Sequence, residues 1–156
     1  MSVEQAYNSW AEQYDTNINK TRDLEAGSLR EMLAGIDFGD CLEVGCGTGQ
    51  LTIPVAGLGL PVVGLDLSSA MLNVARSRAS AVNAPVTFVQ GDMRDFRLER
   101  DFKLIFVARN SLLHLLSTAD LLAALTAVRR HLAPDGVFAF GSHSAGIPVA
   151  KRMQPP

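Results

Sequence analysis

The residues of this 156-residue chain with the most chemical content lie in one run, Leu42-Glu43-Val44-Gly45-Cys46-Gly47-Thr48-Gly49-Gln50-Leu51. A glycine-rich turn that leaves a strand lets a ligand approach the backbone closely, because no Cβ stands in the way. The glycines fall at 45, 47 and 49, whereas a loop for a dinucleotide, G-x-G-x-x-G, needs one at position 50, where Gln50 stands. The spacing argues against an NAD-dependent oxidoreductase. An ordinary tight strand-to-helix turn would have the same composition, so the loop alone does not decide. Asp66 ends the next apolar run, where a carboxylate can accept hydrogen bonds from both hydroxyls of a ribose. The same residue also suits the N-terminal dipole of a helix beginning at Ser69. Gly91-Asp92-Met93 follows a third apolar run, so three loops share the carboxyl edge at which doubly wound sheets bind ligands.

The elements that must hold these loops alternate in type. Cys41 to Val44, Pro61 to Leu65, Val86 to Gln90, Lys103 to Ala108 and Val137 to Phe140 read as strands. Between them lie helical segments near Leu51 to Leu58, over Ser69 to Val82, and along the stripe Leu121, Leu125, Val128 and Leu132. Met71, Val74, Ala75, Ala79 and Val82 share one side of the second helix, with Ser68 or Ser69 as its N-cap. Ser117 to Asp120 reads as a capping box for the third, and Arg129, Arg130 and His131 suit its C-terminal dipole. Pro134-Asp135-Gly136 turns the chain into the fifth strand. Such alternation predicts an α/β fold with right-handed βαβ units and a mostly parallel sheet covered on both faces. Ahead of it, Tyr7, Trp10 and Tyr14 mark one helix and Leu29, Met32, Leu33 and Ile36 another. After Gly141 the pattern stops.

Composition fits a single domain with a real core: 47% of residues are apolar, and 14 Lys and Arg face 16 Asp and Glu. With no long basic run, nucleic acid and acidic membranes are poor partners. No apolar run reaches the roughly 20 residues of a membrane span, and the start of the chain is polar, which reads as a cytoplasmic protein. Cys41 and Cys46 are the only cysteines. They make no disulfide framework, and no metal site is expected.

Five segments in this order resemble the class I S-adenosylmethionine (AdoMet) dependent methyltransferases. Glu43-x-Gly45-x-Gly47-x-Gly49 resembles that family's first motif, Val62 to Ser68 its second, and Gln90-Gly91-Asp92-Met93 its third. Tyr7-x-x-Trp10-Ala11-x-x-Tyr14-Asp15 resembles the N-terminal lid helix of its small-molecule members, and Leu132-x-Pro134-x-Gly136 the turn before their fifth strand. The resemblance implies a Rossmann-like sheet of order 3-2-1-4-5, with lid helices over 1–40, a nucleotide-binding core over 41–141 and an irregular tail over 142–156. It further implies that Gly45 and Gly47, with Cys46 and Gly49 in the same loop, line the methionine moiety of AdoMet. Asp66 would hold the ribose, Leu67 would pack on the adenine, and Asp92 would accept from the adenine amine beside Met93. Glu43 would orient the loop or, indirectly, the amino group, while Tyr14 and Met71 would complete the cofactor site. Arg109 and Asn110 would face the sulfonium and a small-molecule acceptor.

Methyl transfer from a sulfonium is an in-line displacement with a neutral leaving group, so the protein mainly aligns the reactants and excludes water. Where a base is needed, His114 is the candidate; a histidine among Leu112, Leu113, Leu115 and Leu116 also reads as a core-edge residue. Members of the family continue past the fifth strand with a helix and an antiparallel pair. Here 15 residues follow Gly141, so the sheet is expected to lack its last two strands, with self-association through the fifth-strand edge. A non-catalytic AdoMet-binding module is the alternative expectation.

Overall fold

The computed structural model describes residues 1–16, 39–108 and 111–141. Helix α1 (Val3–Trp10) precedes β1 (Cys41–Val44), α2 (Thr52–Ala56), β2 (Val62–Asp66), α3 (Ser69–Ala81), β3 (Val86–Gln90) and β4 (Phe102–Val107). A 3-10 turn (Ser111–His114), α4 (Thr118–His131) and β5 (Leu132–Phe140) follow. The five strands form one sheet in the order β3-β2-β1-β4-β5, and every pair is parallel. The expected topology is thus present. The second N-terminal helix near Leu29 to Ile36 and the tail 142–156 lie outside the described residues, as do Arg109 and Asn110.

Because helices cover both faces, the strands bury consecutive rather than alternate side chains. Leu42, Val44, Val63, Leu65, Ile105, Val107 and Phe138 pack on one face with Ala127 and Val128 of α4. Cys41, Val62, Leu104, Phe106 and Ala139 pack on the other with Leu51, Val55 and Ala56. This two-sided burial gives the near-continuous apolar runs of a central parallel sheet. Among the described residues, no helix is long and apolar enough to cross a membrane.

Helix faces differ from the sequence reading in two places. On α3, capped by the Ser68 hydroxyl accepting from the Met71 amide, the buried residues are Met71, Leu72, Ala75 and Ala79, while Val82 is exposed. On α4 the buried face is Ala124, Ala127, Val128 and His131, and Leu121 and Leu122 look outward. Apolar residues occur on both sides of α4. The face that reaches the sheet is the one whose alanines permit close approach, and Leu125 and Leu132 flank it. Pro134-Asp135-Gly136 turns the chain as expected, but inside β5. Phe102 pairs with Leu132 and Leu104 with Val137, so the intervening residues bulge out of the ladder.

His131 is not an exposed helix-end cation. It is buried, its Nδ1 lies 2.7 Å from the Ala127 carbonyl, and its Nε2 accepts from the Leu98 amide at 3.0 Å. The ring stacks on Phe96 at 4.5 Å between centroids. The histidine therefore ties α4 to the loop between β3 and β4. Replacing it with leucine keeps the bulk but leaves the Leu98 amide without its acceptor. We expect His131→Leu to lower stability by about 1–3 kcal/mol in urea unfolding, against about 0.5 kcal/mol or less for the outward Leu122→Gln.

Candidate functional site

The three loop glycines are each required for a different reason. Gly45, Gly47 and Gly49 all take positive φ, at 78°, 55° and 77°. A Cβ on Gly45 would meet Ser111 Oγ at 2.8 Å, and one on Gly49 would meet Ile53, Ala75 and Phe88 at 3.2–3.3 Å. Around Gly47 no atom lies within 4 Å of where a Cβ would be. Its left-handed backbone faces open space, whereas Gly49 is the point where α2, α3 and β3 converge. The loop is fixed to β2 by the Gly45 and Cys46 amides, which donate to the Leu65 carbonyl at 2.8 and 3.0 Å.

Asp66, at the end of β2, accepts from the Gly47 amide at 2.8 Å through Oδ2 and from the Ser68 amide at 2.9 Å through Oδ1. Burial raises its pKa above the ordinary 3.8, and the two amide bonds only partly offset this. Glu43 is buried one strand away and accepts from Thr52 Oγ1 at 2.5 Å, which joins the end of β1 to α2 beyond the glycine loop. The Cys46 thiol lies buried beneath the loop, and burial followed by the nearby Glu43 and Asp66 carboxylates pushes it well above its usual range. It is a packing group rather than a nucleophile.

Opposite these loops, α1 forms a roof. Asn8 accepts from Ser68 Oγ at 2.5 Å. Asp15 accepts from Thr48 Oγ1 at 3.0 Å, from Arg78 Nη1 at 2.5 Å, and from Gln50 Nε2. Tyr7 lies over the gap, 6.0 Å from the Tyr14 ring, and its hydroxyl is 2.7 Å from His114 Nε2. On the third side Asp92 is held by Arg94, whose Nε and Nη2 donate to its carboxylate while Nη1 reaches Asp120 at 3.1 Å. Hydrogen bonds from Arg94 hold the Asp92 carboxyl below its ordinary value.

These walls enclose a cavity of about 400 Å³. Of the residues expected at a site, Tyr14, Glu43, Gly45, Cys46, Gly47, Asp66, Leu67, Asp92, Met93 and His114 line it. Gly49 and Met71 do not. Met71 is wholly buried on α3, and both sit behind the wall they support. The sequence reading did not single out Arg94, Asp120 or Ser111, and quoted Tyr7 only within the entry helix; all four face the cavity. Arg94, two residues past Asp92, has the spacing of an Asx turn, and its amide donates to Asp92 Oδ1 at 2.9 Å. Tyr7 and Ser111 carry no local signal for their places.

A parallel 3-2-1-4-5 sheet with its cavity at the carboxyl ends of β1, β2 and β3 defines a nucleotide-binding doubly wound domain. Comparison with known proteins then sets the family, because residues 41–136 match the model of the methyltransferase domain, and the chain belongs to that family. A putative methyltransferase of Bacillus subtilis (strain 168), YqeM, is 34% identical over 108 residues, which are 69% of this chain and 43% of that protein. The dTDP-3-amino-3,6-dideoxy-alpha-D-glucopyranose N,N-dimethyltransferase of Streptomyces fradiae is 42% identical over 96 residues, 62% of this chain and 36% of that one. Among solved structures, the glycopeptide N-methyltransferase MtfA complexed with (S)-adenosyl-L-methionine superposes with a TM-score of 0.66 at 33% identity, over 74% of this chain and 52% of that chain. The chain thus spans less than half the length of these curated relatives.

The contrast between two glycines is testable without a ligand. Gly47→Ala introduces left-handed strain into open space and should cost about 1–2 kcal/mol. Gly49→Ala adds crowding among three side chains, which should cost roughly a further 1–3 kcal/mol. Thermal or urea unfolding of the two variants checks the order, and equal losses would show that packing at Gly49 is looser than its contacts imply.

Proposed function

We propose that this chain binds AdoMet in the cavity between α1 and the glycine loop, and that it methylates an amine nitrogen of a small molecule. The observation that carries the reading is the pairing of open space at Gly47 with the half-buried Asp66 carboxylate beside it. A backbone with no Cβ in front of it accepts the methionine part of such a ligand, and a carboxylate at the end of β2 accepts from a ribose. Leu67 and Met93 offer apolar contact for an adenine. Asp92, though held by Arg94, keeps lone-pair capacity for an exocyclic amine. Tyr14 closes the cavity from the roof side.

The cofactor supplies a methyl group already activated on a sulfonium, so the chain need only bind, orient and exclude water. The roof formed by α1 and the turn over residues 11–16, held by Asn8 and Asp15, gives that enclosure. An amine acceptor fits the lining, where Glu4, Glu43, Asp66, Asp92 and Asp120 outnumber Arg94, itself bound to two carboxylates. Two relatives agree with this reading, the sugar N,N-dimethyltransferase and the glycopeptide N-methyltransferase. Two free, buried cysteines suit the reducing cytoplasm. We further propose that copies associate through the outer edge of β5, which pairs only with β4 among the described residues. Sedimentation that shows a monomer at all concentrations would remove this part.

Asp66→Ala should weaken binding of S-adenosylhomocysteine by about 1.5–3 kcal/mol for each charge-assisted hydrogen bond lost, measured by calorimetry. The pH dependence has a fixed sign. Ligand hydroxyls need the ionised carboxylate, so affinity falls as pH drops through the raised Asp66 pKa, beginning above 3.8. In the ligand-free chain the same shift works the other way: the stability due to Asp66 is fully present at low pH and is lost as pH rises through its folded pKa. Equal affinity of Asp66→Ala and the unmodified chain at neutral pH would remove Asp66 from the site.

A further inference from the structure

Tyr7 Oη lies 2.7 Å from His114 Nε2, and the two rings meet edge to face with centroids 5.4 Å apart. The contact joins α1 to the turn after β4, and both side chains line the cavity. Tyr7 is half-buried and also touches Trp10 and Tyr14, whereas His114 stands at the exposed side. Burial, with Tyr14 and Asp66 nearby, pushes the Tyr7 phenol up to about 12, so it is a neutral O–H at ordinary pH. A phenol is a good donor and a poor acceptor, because its lone pair is shared with the ring, while a neutral imidazole nitrogen accepts well. The contact fits a hydrogen bond from Tyr7 Oη–H to His114 Nε2, an arrangement that requires the imidazole hydrogen on Nδ1. In that arrangement Nε2 of His114 is engaged by the phenol, and both side chains line the cavity.

We propose that Tyr7 is a catalytic residue of this pocket, taking a proton from the amine acceptor at Oη while its own hydrogen passes to His114 Nε2. The proposal rests on the amine-acceptor reading above. In the step, an N–H bond of the ammonium breaks and its electron pair stays on nitrogen as the lone pair needed for attack. An O–H bond forms at Tyr7, the O–H directed at His114 breaks, and an N–H bond forms at Nε2. The resulting imidazolium releases its proton to water on the exposed side of His114. The two act together, since a free phenolate is costly at neutral pH and Nε2 is already engaged by the phenol. The titratable groups acting on the pair are Tyr14 and Asp66 on Tyr7, with Asp66 also coupled to His114.

The decisive variant is Tyr7→Phe, which keeps the ring packing and removes only the hydroxyl. Nitrogen-15 NMR of the histidine rings should show neutral His114 as the Nδ1–H tautomer in the unmodified chain and as the Nε2–H tautomer in Tyr7→Phe. Initial rates of transfer from AdoMet to a panel of amino sugars and primary amines are read between about pH 6 and about pH 10. We expect Tyr7→Phe to lose about 10²-fold in kcat near neutrality, with the deficit narrowing as the acceptor amine loses its own proton, and with affinity for S-adenosylhomocysteine unchanged. His114→Gln, which can accept the phenol hydrogen bond but not its proton, should show the same narrowing deficit. Unchanged ring shifts in Tyr7→Phe, or a rate loss uniform across pH, would overturn the proposal. An unmodified chain that binds S-adenosylhomocysteine but methylates no amine would overturn it also. A chain that fails to bind S-adenosylhomocysteine would instead overturn the proposed function, and the tautomer comparison would be read independently of that result.

Discussion

The site depends on one half-buried carboxylate. Asp66 receives the Gly47 amide on one oxygen and the Ser68 amide on the other, so a single side chain fixes the tip of the glycine loop and the start of α3. The loop needs such restraints, since glycines with positive φ have many alternatives open to them in an unrestrained chain, and the Gly45 and Cys46 amides on the Leu65 carbonyl supply the others at its base. Burial makes the charge on Asp66 costly. The amides that oppose this cost are the ones that order the cavity, so geometry and electrostatics of the wall come from the same two contacts. A ligand that brings hydroxyls to the carboxylate would add to this set rather than replace it, because each carboxylate oxygen has two lone pairs.

The roof follows from the same loop. Thr48 and Gln50, the residues between and after the last glycines, both donate to Asp15, and Arg78 of α3 completes the cluster. Gln50 stands where a dinucleotide loop needs glycine, and its side chain serves to hold α1 down. The departure from the dinucleotide fingerprint is thus a positive structural feature. With Asn8 on Ser68, α1 is tied to α3 by polar contacts rather than by a buried apolar face, since it contains no buried residue and only Ala11 just after it is buried. Such an element can be released at modest cost, as polar contacts exchange readily with water.

How much of this was legible in the residues depends on the range of the interaction. The strands were readable because a sheet covered on both faces writes unbroken apolar runs, as in Leu104 to Val107, and the loops because positive φ at Gly45, Gly47 and Gly49 requires glycine. Helix faces were less so. Leucines on several sides of α4 leave its periodicity ambiguous, and only the sheet decides that Ala124 and Ala127 turn inward. Least legible were contacts that span most of the chain, such as Tyr7 with His114 or Asp15 with Gln50, which no local pattern encodes. His131 looked like a dipole partner because its position in the helix is visible, while Phe96 and Leu98, which make it a buried acceptor, lie in a loop of no regular period.

The two aspartates that end neighbouring loops show why position in the sequence does not set chemistry. Asp66 and Asp92 each follow a strand of the same sheet and each line the same cavity. At Asp66 burial outweighs the backbone amides and His114, so its carboxyl is raised; Asp92, a third exposed, meets a guanidinium and is lowered. The consequence is a division across the cavity. On the Asp92 side the charge is fixed and already balanced by Arg94, which suits a hydrogen bond to a neutral base. At Asp66 the charge is uncompensated and responsive, so donors brought by a ligand have most to gain there. A cavity with one carboxylate paired to a guanidinium and another held by backbone amides is chemically asymmetric along its length.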